Sequence, residues 1–209
     1  MGHMLFIDQP LNVGFSYSGN RTGTQQVSSS NEGALHLVNF LYNFYREWPK
    51  LAASPLYITG ESFAGHYIPA FAREILLNET FKAATKVNLK GVAIGDGWVD
   101  PINQFNYYDS LLYSAGIISN KFREDDYVIN TAGVLNYLNS VNWNYISNWK
   151  RARKDVWRIN NQIRGWAKTY GNLWFVLVNR AGHLVPTDQP ESAFNMFGHF
   201  VRDDRNWNQ

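Results

Sequence analysis

The sequence predicts an α/β fold with a mainly parallel sheet and flanking helices, because strand-like and helix-like segments alternate along the chain. Residues 56–59 and 174–178 are short apolar runs typical of buried strands, residues 87–94 predict another strand, and residues 4–7 predict one more short strand. Between and after these runs, apolar residues recur every three or four positions, as in helices that cover a sheet. A chain of 209 residues suits a single domain over 1–209.

The helices are predicted from their end signals as well as from their periodicity. Ser29 and Glu32 predict a capping box at the start of the first helix, which ends before Pro49. A second helix begins near His66 and places Pro69 in its first turn, where proline is tolerated. Two further helices are predicted over residues 107–118 and 191–201.

Composition excludes several classes of function. The content of 45% hydrophobic and 16% aromatic residues is that of a folded protein, and no run is long enough to span a membrane. The net charge of +2 does not indicate a nucleic-acid partner. A local basic cluster is expected to be a solvated helix face: Lys150, Arg151, Arg153, Lys154 and Arg158. The absence of cysteine excludes disulfides and thiolate chemistry.

The hexapeptide Gly-Glu-Ser-Phe-Ala-Gly at residues 60–65 is the most informative motif. It lies between a predicted strand and a predicted helix, which places Ser62 at the apex of a sharp turn with its hydroxyl exposed. In this nucleophile elbow, the backbone N–H of Phe63 would form part of an oxyanion hole. The strict pattern has glycine where this chain has Ala64. A glycine-rich turn in which Ser62 only caps the next helix remains an alternative.

A second motif places His183 in a glycine-containing loop directly after the strand predicted over residues 174–178. A histidine at the end of a strand is well placed to act as a general base. In α/β-hydrolases the catalytic residues follow the chain order serine, acid, histidine, and Ser62 and His183 fit that order. We expect the other four histidines to be structural or exposed to solvent.

Four sequence blocks together resemble the serine carboxypeptidase family of the α/β-hydrolase superfamily, and in particular its vitellogenic carboxypeptidase-like branch. They are Leu-Phe-Ile-Asp-Gln-Pro with Gly-Phe-Ser-Tyr at residues 5–17, residues 59–69, Ile-Gly-Asp-Gly-Trp-Val-Asp-Pro at residues 94–101, and residues 181–190. The resemblance covers nearly the whole chain. It implies a serine-type carboxypeptidase that acts on peptide or protein C-termini and needs no metal or organic cofactor.

The resemblance also implies roles for single residues. Asp126 would complete a triad with Ser62 and His183, because residues 126–130 resemble the Asp-x-x-x-Asn segment of the family. From the residues alone, Asp96 or Asp100 is a rival acid, since both follow a well-defined predicted strand. Three residues are further expected to bind substrate: Glu61, Tyr67 and Asp96. Glu61 would bind the terminal carboxylate of the substrate.

Parts of the family pattern have no counterpart here. The cap insertion and a strand before Asp126 are missing, which indicates a deletion near residues 119–126, and the Asn-Gly-Gly-Pro-Gly oxyanion segment is absent. A non-catalytic remnant of the fold and a carboxypeptidase-like acyltransferase or esterase therefore remain alternatives. The family implies a secretory, lysosomal, vacuolar or extracellular location, although residues 1–4 are no signal peptide. The sequons at Asn20 and Asn78 would suit a protein that passes through the secretory pathway.

Overall fold

The computed structural model describes residues 2–19, 26–105 and 129–207. In chain order its helices are α1 (Ser30–Glu47), α2 (Pro49–Ala52), α3 (Ala64–Leu77), α4 (Glu79–Ala84), α5 (Pro101–Phe105), α6 (Thr131–Ser140), α7 (Ile146–Arg151), α8 (Val185–Asp188) and α9 (Pro190–Arg202). Its strands are β1 (Pro55–Glu61), β2 (Asn88–Gly95), β3 (Lys154–Ile159), β4 (Gln162–Tyr170) and β5 (Leu173–Val178). The chain divides into two compact units: Met1–Thr59 with His66–Ala93, and Gly60–Gly65 with Ile94–Gln209.

The first unit is built around the apolar face of α1. Leu37, Val38 and Leu41 are buried there, together with Phe71 and Ile75 of α3. The predicted capping signal forms in part: the Ser29 side chain accepts a hydrogen bond from the Glu32 N–H at 3.2 Å. The Glu32 carboxylate accepts its own bonds from Ser28, one residue earlier than a standard capping box would place them.

Strands β1 and β2 pair as a two-stranded sheet that leads toward the site. The side-chain amide of Asn88, at the start of β2, donates to the carbonyl of Ala53 just before β1 at 3.4 Å. Beyond the other end, the Ser62 N–H donates to the carbonyl of Gly95 at 2.9 Å. The strand starts lie together and the strand ends lie together, so the pair is parallel, with α3 and α4 as the crossover.

The second unit contains an antiparallel sheet in the order β3-β4-β5. Of these three strands, the sequence predicted only β5. Its core is aromatic: Trp157 and Trp207 are buried, and their rings meet edge to face with centroids 5.9 Å apart. His199 is also buried and stacks on Trp207 at 4.6 Å, while its Nδ1 lies 2.9 Å from the carbonyl of Asp204. The expectation that His199 is structural is therefore confirmed.

Several local expectations need correction. No strand forms at residues 4–7, where Phe6 is exposed, because no described strand pairs with that backbone. Helix α3 begins at Ala64, so Pro69 lies in its second turn and not in its first. The basic cluster is not one helix face: Lys150 and Arg151 lie on α7, whereas Lys154 and Arg158 lie on β3.

Three expectations fall outside the described residues: the helix over residues 107–118, the triad acid Asp126, and the sequon at Asn20. The single domain over 1–209 and the deletion near residues 119–126 stay predictions. In the described part of the chain, no helix is both long enough and apolar enough to cross a membrane.

Candidate active site

Ser62 occupies a sharp turn between β1 and α3 with its backbone in the left-handed region, at φ 57°. A residue other than glycine pays about 1–3 kcal/mol for such a conformation, which persists only where its surroundings enforce it. Here the N–H groups of Gly65 and Trp98 both donate to the Ser62 carbonyl at 2.9 Å, and the Ser62 N–H donates to Gly95. An N-cap residue would be extended, so the geometry favours an elbow over a helix cap.

The position of glycine in the motif has a steric reason. A Cβ added to Gly65 would lie 2.6 Å from the carbonyl oxygen of Trp98 and 2.7 Å from its backbone nitrogen. These are backbone atoms, which cannot rotate away as a side chain could. The close approach of the Trp98 backbone thus demands glycine at residue 65, whereas residue 64 accommodates the methyl group of alanine.

Aromatic rings border the elbow on the side of Phe63. The Phe63 side chain is 46% exposed and meets the Trp98 ring edge to face, with centroids 5.9 Å apart. Trp98 in turn contacts Phe105 of α5 edge to face at 5.6 Å. These rings offer an apolar surface beside the serine, where a substrate side chain could pack.

The loop after β2 carries the two rival acids, and the structure gives them different surroundings. Asp96 is half-buried, follows Gly95 directly and has a left-handed backbone at φ 41°. Asp100 caps α5: its carboxylate accepts from the N–H of Asn103 at 3.2 Å and from the Asn103 side chain at 2.6 Å. Asp100 therefore has a structural task, which makes Asp96 the stronger rival.

A buried glutamine, which the sequence did not single out, fixes this loop. Gln104 accepts hydrogen bonds from the N–H groups of Val99 and Asp100 at 2.9 and 2.8 Å, and donates to the Gly97 carbonyl at 2.8 Å. The pattern resembles a capping box in which the reciprocal residue is the fourth of the helix. An Asp-Pro helix start followed by glutamine was the signal available in the sequence.

The expected substrate-binding residues lie in different settings. Glu61 ends β1, directly before the serine, and is half-buried beside Gly95, where an added Cβ would lie 3.7 Å from its Cγ. Tyr67 belongs to the other compact unit and stacks on Phe71 with ring centroids 6.0 Å apart. That contact is one of core packing, and the substrate role of Tyr67 stays a prediction.

His183 lies in the turn between β5 and α8, in the same compact unit as Ser62. Two side chains from beyond the turn hold it. The Asp188 carboxylate accepts from the Gly182 N–H at 2.7 Å, and the Gln189 side chain donates to the Arg180 carbonyl at 2.8 Å. Asp188 and Gln189 thus brace the loop that carries His183.

The contacts above join the elbow to the loop over residues 95–98, and they join the His183 loop to α8 and α9.

Asn78, the sequon that lies within the described residues, caps α4 by accepting from the Phe81 N–H at 3.0 Å, and it donates to Glu74 at 3.1 Å. Among the described side chains, no group of three or more histidine, aspartate or glutamate residues is arranged to hold a metal ion.

Comparison with known proteins identifies the family and the fold. The serine carboxypeptidase family matches residues 1–125 and 122–203 of this chain. A solved structure, the prohormone-processing carboxypeptidase Kex1(Delta)p from Saccharomyces cerevisiae, superposes with a TM-score of 0.82 over 95% of this chain and 73% of that one, at 18% identity. The fold is therefore that of the α/β-hydrolases, as the sequence predicted, and the chain belongs to the serine carboxypeptidase family.

Two relatives show how much of a family member is present. Vitellogenic carboxypeptidase from Aedes aegypti is 25% identical over 325 residues, an alignment that covers 95% of this chain and 67% of the relative. Because 325 exceeds the length of this chain, the relative has long segments without a counterpart here. Probable serine carboxypeptidase CPVL from Dictyostelium discoideum is 42% identical over 114 residues, which are 54% of this chain but only 22% of that protein.

Proposed function

We propose that this chain carries the nucleophile of a serine-type carboxypeptidase, which removes C-terminal residues from peptides through an acyl-enzyme on Ser62. The observation that carries the proposal is the left-handed backbone of Ser62 between β1 and α3, held by hydrogen bonds to Gly95, Gly65 and Trp98. A simple turn could use a glycine at that position without strain. The presence of serine at such a strained position favours a chemical role for its hydroxyl.

In the proposed mechanism, His183 takes the proton from the Ser62 hydroxyl as the oxygen attacks the last peptide carbonyl. The Phe63 N–H stabilises the oxyanion. The carbon–nitrogen bond then breaks, the imidazolium gives its proton to the departing amine, and water attacks the acyl-enzyme with His183 again as the base. Asp126 orients the imidazole, with Asp96 as the alternative acid.

Substrate selection is proposed to rest on Glu61, next to the nucleophile. Its carboxyl group can share a proton with the terminal carboxylate of the substrate, because two carboxyl groups held close together cannot both ionise. This arrangement favours activity at acidic pH. Tyr67 and Asp96 would assist in binding the substrate. A secretory-route location is proposed by family analogy, with glycans at Asn20 and Asn78.

The first test is labelling by a fluorophosphonate at mildly acidic pH, with the adduct located by mass spectrometry. Stoichiometric labelling of Ser62, lost in Ser62→Ala and in His183→Ala, would support an activated serine. No labelling of the folded protein would overturn the catalytic proposal and favour a remnant of the fold, which the missing segments already motivate. Hydrolysis of a blocked dipeptide, compared with transfer from an activated ester, then separates a carboxypeptidase from an acyltransferase or esterase.

A further inference from the structure

Gln104 is a buried polar side chain whose three hydrogen bonds all end on one short loop. Only 3% of the residue is exposed. Its Oε1 accepts from the N–H groups of Val99 and Asp100, and its Nε2 donates to the Gly97 carbonyl. The two donors require the oxygen on their side, and the carbonyl requires the nitrogen, so the amide has one orientation that satisfies all three partners.

The loop that Gln104 holds is the one that touches the nucleophile. The Trp98 N–H, between the residues that Gln104 binds, donates to the Ser62 carbonyl at 2.9 Å. The Trp98 backbone also packs so closely on Gly65 that a Cβ there would not fit. A shift of residues 97–100 would therefore break one of the two hydrogen bonds to the Ser62 carbonyl and weaken the restraint on the left-handed turn.

We infer that Gln104 is a positioning residue for the Ser62 elbow, acting through the backbone of Trp98. This inference rests on the proposed function for its catalytic consequence. Its structural consequence does not depend on that function, because the geometry of the elbow can be measured without any reaction. Gln104 touches no reacting atom, and its effect passes through the hydrogen bond from Trp98 to the Ser62 carbonyl.

The chemistry of the amide suggests a substitution that separates these roles. Gln104→Glu keeps the acceptor for Val99 and Asp100, but an ionised carboxylate would face the Gly97 carbonyl with a second oxygen. When protonated, the same side chain can donate to that carbonyl as glutamine does. Burial raises the pKa of such a carboxyl group, and the negative charge of Asp100 would raise it further. The variant should thus resemble wild type in acid, where this carboxyl group is protonated, and fail as rising pH ionises it.

The other titratable groups near residue 104 do not alter the expected pH dependence of Gln104→Glu. Tyr137 of α6 has a pKa raised first by burial and then by the charge of Asp100, so its phenol stays neutral throughout the acidic and neutral range. Asp96 is the nearest other acid in the loop. The matched control is Asn136→Ala, since the Asn136 side chain donates to the Asn103 carbonyl at 2.8 Å and so braces α5 without binding residues 97–100.

The experiment measures amide hydrogen exchange at single-residue resolution and fluorophosphonate labelling on the same four proteins: wild type, Gln104→Glu, Gln104→Met and Asn136→Ala. Faster exchange at Ser62, Gly65 and Trp98 in Gln104→Met, and in Gln104→Glu at neutral but not acidic pH, supports the inference. Where wild type labels, we expect the labelling rate of Gln104→Glu to be about 10- to 100-fold lower at neutral pH and to recover in acid.

Two results would overturn the inference. One is faster exchange confined to Val99 and Asp100 with the elbow amides unchanged. The other is an equal effect of Asn136→Ala, which would show that Gln104 matters only for the stability of α5. If wild type does not label, the proposed function fails, and the exchange data still decide the role of Gln104. If Gln104→Met does not fold, the comparison of Gln104→Glu across pH decides it.

Discussion

Replacing Gly65 by alanine tests whether the close approach of the Trp98 backbone holds the elbow in place. A Cβ at residue 65 would lie 2.6 Å from the Trp98 oxygen, where an ordinary contact begins near 3.4 Å, so one backbone must retreat by about 0.8 Å. Crowding of this kind costs about 1–3 kcal/mol. The retreat also weakens the two hydrogen bonds to the Ser62 carbonyl, each worth about 0.5–1.5 kcal/mol.

Opposing terms reduce this cost but do not reverse it. Alanine is favoured over glycine in a helix by about 1 kcal/mol. We therefore expect Gly65→Ala to lower the free energy of unfolding by about 1–3 kcal/mol. Gly33→Ala is the matched control, because Gly33 is also a buried helical glycine, and a Cβ there would lie 3.7 Å from the nearest side-chain atom, on Val27. That variant should be neutral or more stable by up to about 1 kcal/mol.

The assay is urea unfolding followed by tryptophan fluorescence, with the midpoints compared at an unchanged slope. Fluorophosphonate labelling of Ser62 should fall in Gly65→Ala and stay at the wild-type level in Gly33→Ala. If the two variants have equal midpoints and equal labelling, the backbone contact at residue 65 does not restrain the elbow, and our explanation of the motif is refuted.

Three further predictions concern other parts of the chain. Asp188→Ala should speed hydrogen exchange at the Gly182 amide about tenfold, as loss of a bond of about 1.5 kcal/mol implies, while Asp188→Asn should retain most of the protection. Ser29→Ala should lower the free energy of unfolding by about 1 kcal/mol in urea through loss of the α1 cap, with Ser30→Ala as a near-neutral control. Burial, and secondly the charge of Lys154, lower the pKa of Lys168, so this group adds stability above its unfolded pKa and loses it as pH falls through its folded pKa. Unfolding titrations should therefore show a free energy of unfolding that rises with pH between these two pKa values. Lys168→Met should remove that slope, and an unchanged slope would contradict the assignment.

The parts of the fold that sequence patterns could predict are those with local signals. β1, β2 and β5 follow from apolar runs, and α1 follows from its period and from Ser29 at its start. The other two strands of the antiparallel sheet were harder to recognise, because β3 and β4 mix charged residues with tryptophans, of which Trp157 is buried only after the sheet forms. Their identity depends on pairing between strands, which no local pattern specifies.

The same distinction applies to the site. Ser62 and His183 could be proposed because each sits in a short motif beside a strand. Gln104 could not, because its importance arises from three backbone groups that only the folded loop brings within reach. A buried glutamine looks unremarkable in a sequence, and its role becomes visible only when each backbone partner is accounted for.

The elbow and the proposed triad depend on different parts of the chain. The hydrogen bonds that restrain Ser62 come from Gly65, Gly95 and Trp98, and Gln104 holds the loop that contains Trp98. The restraints on the elbow thus come from residues of its own compact unit. In the proposed mechanism, orientation of the His183 imidazole instead requires an acid held against it. A change that displaces this acid should therefore impair proton transfer before it disturbs the shape of the turn at Ser62.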